Sequence, residues 1–346
     1  MKRTKVAAMV HKSTIARMWT DIDIIRCDAV GVLGLFPEQK LTAVIRMLTY
    51  EASANQVDEI TRMGKSTTLE ALVRFCVPVE TLYTRNYLGR PTPKNLQRLL
   101  QKAEAQGFPG MIGDYGNRKC QKSIILEAVA GFDIWVWHAF FGVPGSQNDL
   151  NVLGQSPVFN DVLRGQGPDI TYQVNNTVYQ TGYYLADDIY PRWTTFVKSI
   201  PNLRSQKQKL FATYQEGYRK DVKMCFGILQ ARWLIIRGAV SMFDKEILRS
   251  IMITCIILQN MIVYEYDYDD VEVYEPDLMN TVLTRIYERP MGPSGEPFEP
   301  ESLVRDGRFM TRIIDRYTEM QSSYIHEMRQ LDLIEHLWVV KGNEDE

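Results

Sequence analysis

The sequence predicts an α/β protein with strands at its centre and helices at both ends, and three observations carry that expectation. Residues 123–130 and 134–141 are rich in β-branched and aromatic side chains and are joined by Gly131-Phe132-Asp133, which is a hairpin signature. Residues 37–106 and 308–340 repeat apolar residues at helical spacing. Residues 182–185 read as a further strand that delivers Ala186-Asp187 at its C-terminal end, where an open α/β sheet presents ligand-binding groups.

In chain order, residues 1–27 have no clear partner face and read as a tail. Lys2, Arg3 and Lys5 make its start basic, but the apolar piece 6–10 is too short for a signal-peptide core, so secretion is not expected. Leu41, Ile45 and Leu48 share a helical stripe. Residues 57–63, Gly64 and residues 66–75 read as helix, tight turn, helix, with Ser66 as N-cap and Glu70 in the next turn, a pattern compatible with a helix-turn-helix. Gly64-Lys65-Ser66-Thr67 is not a P-loop, because the position of that motif's first glycine is Glu59 and no strand precedes it. Arg85, Arg90, Lys94, Arg98 and Lys102 then make the approach to the strands basic, and Arg118, Lys119 and Lys122 continue that bias.

The run 134–141 is apolar on both alternating faces, which predicts an interior hairpin covered on both sides. Gly142 to Ser146 is a turn cluster leading to a helix that Asp149 caps. Residues 173–178 read as a second hairpin, and helices are expected over 201–218 and 219–236. The apolar run 251–263 carries Thr254, Gln259 and Asn260 and is too short to cross a bilayer, so it reads as a buried helix. Residues 264–277 are acidic and aromatic and 290–300 are rich in Gly and Pro, an exposed linker. Calcium binding by Asp267, Asp269 and Asp270 lacks the glycine turn and terminal Glu of an EF-hand loop. The last stripe, Phe309 to Trp338, reads as one amphipathic helix that packs back on the core.

At 346 residues the chain is long enough for one large domain or two modest ones. A net charge of −2 is not that of a dedicated polyanion binder, so any nucleic-acid surface must be a local patch. Five scattered cysteines point to a reducing compartment. The four histidines are too far apart for a ligand set, and His138 reads as a hydrogen-bonded core residue. No Ser-His-Asp elbow, HExxH or GxGxxG is present.

Several ordered motifs resemble one known family. They are Gly107-Phe-Pro-Gly-Met-Ile-Gly113, Gly145-Ser-Gln-Asn-Asp-Leu150, Tyr184-Leu-Ala-Asp187, Arg219-Lys-Asp-Val222 with Phe226-Gly-Ile-Leu229, and Cys255-Ile-Ile-Leu-Gln-Asn-Met261. Together they resemble the plant PIF/Harbinger transposases and the Harbinger-derived nucleases over about residues 28–342. The resemblance implies an RNase H-like (DDE transposase) core in which two Asp and one Glu hold two Mg²⁺ or Mn²⁺ ions. Such chemistry needs oxygen ligands around ions about 3.5–4 Å apart, one activating the nucleophile and one stabilising the leaving oxygen.

By the resemblance Asp187 is the second of those carboxylates, and the third, expected directly after Arg-Lys-Asp-Val, is Lys223 here. An ammonium has no lone pair to donate, and a unit charge about 4 Å away at an effective dielectric near 20 is worth roughly 4 kcal/mol, so attraction turns to repulsion. Asp221 points about 200° away from position 223, and Glu216 sits about 10 Å down the helix axis, so neither replaces the Glu. The segment that carries the family's first Asp is missing, because Gly113 runs straight into Asp114-Tyr115-Gly116. Asp114 is the one candidate stand-in, although by the resemblance it belongs to the piece that follows the missing segment, and the first strand is expected to lose part of its length.

The expected organisation is a tail (1–27), a helical, helix-turn-helix-like module (28–106), a degenerate nuclease core (107–264), a linker (265–306) and a C-terminal amphipathic helix (307–346). The expected function is that of a transposase-derived, DNA- or chromatin-associated nuclear protein without cutting activity, its metal not productively bound. DNA contact is assigned to Lys65, Arg74, Arg118, Lys119 and Lys122. The resemblance implies Myb/SANT-like or chromatin proteins as partners, and no membrane. Two alternatives stand beside it: a metal-dependent endonuclease that uses Asp187 with Asp114 or Glu216, and a decayed transposon relic.

Overall fold

A computed structural model describes residues 35–50, 57, 61–89, 91–120, 124–144, 149–164, 169–238, 244–269, 284–287 and 307–342. The helical N-terminal part holds α1 (Pro37–Tyr50), α2 (Lys65–Tyr87) and α3 (Pro93–Ala105). Next come β1 (Met111–Cys120), β2 (Ile124–Ala130), β3 (Val136–Pro144), α4 (Asp149–Gln155), α5 (Asn160–Leu163), β4 (Asp169–Val174), β5 (Thr177–Tyr179), β6 (Tyr183–Ala186) and β7 (Phe196–Lys198). The C-terminal part holds α6 (Gln206–Arg232), α7 (Ile235–Gly238), α8 (Lys245–Asp269), β8 (Thr284–Tyr287), α9 (Gly307–Met320) and α10 (Ser323–Lys341).

Five strands make one sheet in the order β3-β2-β1-β6-β7. β1, β2 and β3 are antiparallel neighbours, while β6 runs parallel to β1 and β7 parallel to β6. Parallel pairing requires a crossover, which α4, α5 and the β4–β5 hairpin provide between β3 and β6. The chain enters β1 through Gly107-Phe108-Pro109-Gly110. Gly107 (φ +90°) and Gly110 (φ +82°) are left-handed, and a Cβ on Gly110 would lie 2.4 Å from the Tyr172 ring. That corner seats Phe108 against Phe211 and Tyr218, with ring centroids 5.8 and 5.5 Å away.

The expected shortening of the first strand does not show in the sheet. β1 has ten residues, pairs with β2 from Asp114↔Ala130 to Cys120↔Ile124, and has one irregularity against β6, between Met111 and Gly113. The hairpin β2–β3 forms where the sequence places it, but among the described residues β3 is the edge strand and not an interior one. Its faces are apolar because helices cover them, and coverage of a face says nothing about whether a further strand lies alongside. The free edge is met by a side chain instead: Val136 N–H donates to Asn260 Oδ1 (3.0 Å), and Asn260 Nδ2 donates to the carbonyls of Val136 (2.8 Å) and Tyr87 (2.5 Å).

One hydrophobic core runs through α1, α2, β2, β3, α6 and α8, with Leu48, Phe75, Trp233 and Ile257 fully buried in it. α2 starts at Lys65 with Gly64 at the cap position, one residue earlier than expected, so Ser66 lies inside the first turn and caps nothing. α8 is longer than the apolar run 251–263: Lys245–Tyr264 is long and apolar enough to cross a membrane by length and composition, and 78% of that stretch is buried inside the protein. The two helices expected over 201–236 are largely one helix, α6, opened by a Ser205–Gln208 capping box. The C-terminal stripe is two helices, because Ser322 Oγ accepts from Ile325 N–H and starts a new one.

The β4–β5 hairpin turns at Asn175-Asn176, with Asn175 left-handed at φ +53°. It belongs to a second sheet, β5-β4-β8, so the expected linker contributes a strand that pairs antiparallel with β4. Asp267 and Asp269 fall on the last turn of α8, not in a loop. The tail 1–27 and Asp270 lie outside the described residues.

Candidate functional site

β6 ends at Ala186 and delivers Asp187 to the C-terminal end of the sheet, as its strand pattern predicts. Asp187 Oδ1 accepts the N–H of Asp188 (2.8 Å), and Oδ2 is bound by Arg219 Nη1 at 2.8 Å. The Arg219 side chain is 9% exposed and that of Asp187 is 41% exposed, so a mostly buried guanidinium is capped by a partly solvated carboxylate. Lys198, at the end of β7, lies 3.4 Å from Asp188.

α6 is the element that brings Arg219 there. Gln215, Arg219, Val222, Phe226 and Leu229 follow the i, i+4, i+7, i+11, i+14 spacing of one helix face, and all five are buried. Gln215 Nε2 donates to Ala186 O (3.1 Å) and Val197 O (3.3 Å), clamping the helix across β6 and β7. Val222 packs on β1 at Gly116, where an added Cβ would come within 3.1 Å of it. The Arg-Lys-Asp-Val motif is therefore the stretch where α6 crosses the top of the sheet.

Asp114 sits on β1 between Ala130 of β2 and Leu185 of β6 and is buried. Neither of its oxygens has a hydrogen-bond partner among the described residues. Burial holds its carboxyl well above the ordinary carboxylate range, Asp221 adds to the rise, and Arg219 opposes it. Asp221 is itself raised by burial, with Lys102 opposing. Continuing the β1–β6 register two residues past Asp114↔Leu185 sets Gly116, not Asp114, beside Asp187.

Lys223 is exposed on α6, one turn after Arg219, and Glu216 is exposed three residues before Arg219. Arg219 is thus the shared neighbour, bonded to Asp187 and acting on the carboxyl of Asp114, while Lys223 is exposed four residues further along α6. Among the described residues no three His, Cys, Asp or Glu side chains are grouped so as to hold a metal ion.

The expected DNA-contacting residues lie apart from one another. Lys65 and Arg74 are both exposed on α2, but nine residues of helix turn them to opposite sides, and Arg74 is paired with Glu70 at 2.6 Å. Of the expected first helix (57–63), residues 58–60 lie outside the described residues, and its expected last residues are not helical, since Arg62 is left-handed at φ +53° and 62–64 are extended or irregular. Arg118 and Lys119 are on the upper half of β1, opposite Leu126 and Ile125, and Lys122 lies outside the described residues. Within the basic run before β1, Arg98 pairs with Asp133 at 2.6 Å, and Lys102 lies 5.3 Å above the Phe132 ring.

Two features escape a reading of the sequence. Arg219 was visible only as part of a motif, although its place one helical turn before Lys223 marks it as the same side of α6. On the opposite side of the sheet, Glu127 is fully buried, accepts from Ser156 Oγ at 2.5 Å and lies 3.3 Å from His138 Nε2, outside hydrogen-bond geometry. Nothing local in the sequence marks that cluster, whose three residues come from β2, β3 and the end of α4.

Three antiparallel strands extended by two parallel ones, an aspartate at the end of the fourth strand in space and a long helix laid over them define an RNase H-like α/β core. A family model described as a plant transposon protein matches residues 85–270, more than half of the chain, and the chain belongs to that family. No curated protein and no solved structure matches it.

Proposed function

We propose that this chain is a transposase-derived, DNA- or chromatin-associated nuclear protein that has lost two-metal nuclease chemistry. The observation that carries this reading is the Asp187–Arg219 ion pair at 2.8 Å, with Lys223 one turn further along α6. A two-metal centre needs several ionised oxygens facing one space. Here one oxygen of Asp187 binds a guanidinium and the other a backbone N–H, Asp114 favours its neutral form, and an ammonium stands at position 223. The residues present therefore do not fit Mg²⁺ or Mn²⁺ in that arrangement. The endonuclease alternative, with Asp114 or Glu216 joining Asp187, requires Arg219 to release Asp187 first.

An intact ten-residue central strand and a continuous core weigh against a decayed relic. Exposed Lys65 supplies one cation for phosphate contact and Arg74, paired with Glu70, a second on the other side of α2, and Arg118 and Lys119 belong to the same reading by their place on β1. Nuclear location and Myb/SANT-like or chromatin partners follow from the family resemblance and belong to the same reading. The test is supercoiled-plasmid cleavage by the full chain with Mg²⁺ or Mn²⁺, alongside DNA binding over a salt series. No cleavage is expected, with salt-sensitive binding that weakens in Lys65→Ala or Arg74→Ala. Metal-dependent cleavage abolished by Asp187→Ala would overturn the proposal, as would an absence of DNA binding at low salt.

A further inference from the structure

We infer that the outer side of α6 seats nucleic-acid phosphates without any metal, through Lys220 and Lys223, with Lys209 in line behind them. The inference rests on the DNA-associated reading above and gives it a location away from α2. It follows from accounting for every charge on the helix. Of its six cations, Lys207 pairs with Glu335, Arg219 with Asp187, and Arg232 donates to Gln259 Oε1 at 2.6 Å. Lys209, Lys220 and Lys223 are exposed and have no ion-pair partner among the described residues.

At about 100° per residue those three lysines fall within a sector of about 60°, spread along about 21 Å of helix. Of the two acids on α6, Asp221 is half-buried and feels Lys102 and Asp133, while Glu216 is exposed between Lys209 and Lys220. The acids at the end of the sheet are already countered, Asp187 by Arg219 and Asp188 by Lys198. Glu216, four residues before Lys220 on the same side, offsets part of this charge, and three lysines against one carboxylate leave the outer side of α6 net positive where Val222 packs on β1. Two ammonium groups about one turn apart can serve neighbouring phosphates of one strand. A fixed monovalent cation thereby makes the phosphate contact that a dication makes in a two-metal site, and it does so without activating a nucleophile.

The experiment is fluorescence anisotropy of the full chain with a short random-sequence DNA duplex in EDTA, over a salt series, comparing the parent with Lys220→Ala/Lys223→Ala and with Lys65→Ala/Arg74→Ala. Both α6 lysines are exposed, so the double variant should unfold at the parent's temperature. Binding in EDTA is expected, and the slope of log K against log salt should become shallower by about 0.9 per lost contact. If affinities converge near 1 M salt, that slope corresponds to about 8-fold per contact at about 0.1 M. An unchanged slope in the α6 variant overturns the inference and leaves the DNA reading standing if the α2 variant weakens binding. Binding that requires added Mg²⁺ overturns it too, and no binding by the parent removes both.

Discussion

Asn260→Ala should destabilise the protein by about 3 kcal/mol, because this one side chain satisfies the outer backbone groups of Val136 at the start of β3 and the Tyr87 carbonyl. Asn260 is fully buried, and its amide accepts from Val136 N–H and donates to the carbonyls of Val136 and Tyr87. Each buried backbone group left without a partner costs about 1–3 kcal/mol. The Val136 pair, on a residue only 2% exposed, should stand near the lower middle of that range for each group. The Tyr87 carbonyl lies at the end of α2, where water can reach it more easily, and contributes less. The three losses are not additive, since they share one cavity. Urea unfolding reads the total, and for a chain of 346 residues a loss of this size lowers the melting temperature by roughly 4–5 °C.

Amide exchange at Val136 should accelerate in the same variant. Asn260→Asp is the matched control: it keeps the acceptor but turns the donating end into a second acceptor facing two carbonyls. It should be at least as damaging at neutral pH and should recover in part on acidification, when the buried carboxyl regains a proton to donate. A loss below about 1 kcal/mol in Asn260→Ala, with Asn260→Asp as stable as the parent, would refute this bridging role.

Asp114→Asn should stabilise the protein at neutral pH and lose that advantage in acid. The folded carboxyl is raised above its ordinary value of 3.8, so the parent's stability is fullest below that value and falls as pH rises toward the folded value, a slope the amide lacks in urea unfolding at several pH values. Gly110→Ala should cost about 2–4 kcal/mol, from left-handed strain and contact with the Tyr172 ring, read by thermal unfolding. Arg329→Lys should cost about 2 kcal/mol: the buried guanidinium bonds Thr194 O and Thr181 Oγ1 and lies 4.9–5.8 Å from the rings of Tyr172, Tyr179 and Tyr183, a fork and stacking that an ammonium cannot copy.

Short-range features were legible in the sequence. Turn residues and alternation locate both hairpins, and the strand before Asp187 is displaced by only one residue from its expected limits. What the sequence hides is set at long range. β3 lies at an edge whose Val136 is bonded by Asn260 from 124 residues away, and β8 pairs with β4 across more than a hundred residues. The split expected within α6 has no breaker at Tyr218–Arg219 to enforce it, so the helix simply continues. The break in the C-terminal stripe comes from the hydroxyl of Ser322, which apolar periodicity does not register. At the site, Lys223 was legible by motif position. The Asp187–Arg219 bond was not, since it joins residues 32 apart whose approach depends on how α6 crosses the sheet.

The most direct test is a Mn²⁺ titration of the full chain, followed by calorimetry, with Asp187→Ala measured alongside. With Arg219 holding Asp187, no saturable Mn²⁺ site should disappear in the variant. Two Mn²⁺ ions bound per chain, both lost when Asp187 is replaced, would contradict the proposed loss of the two-metal centre.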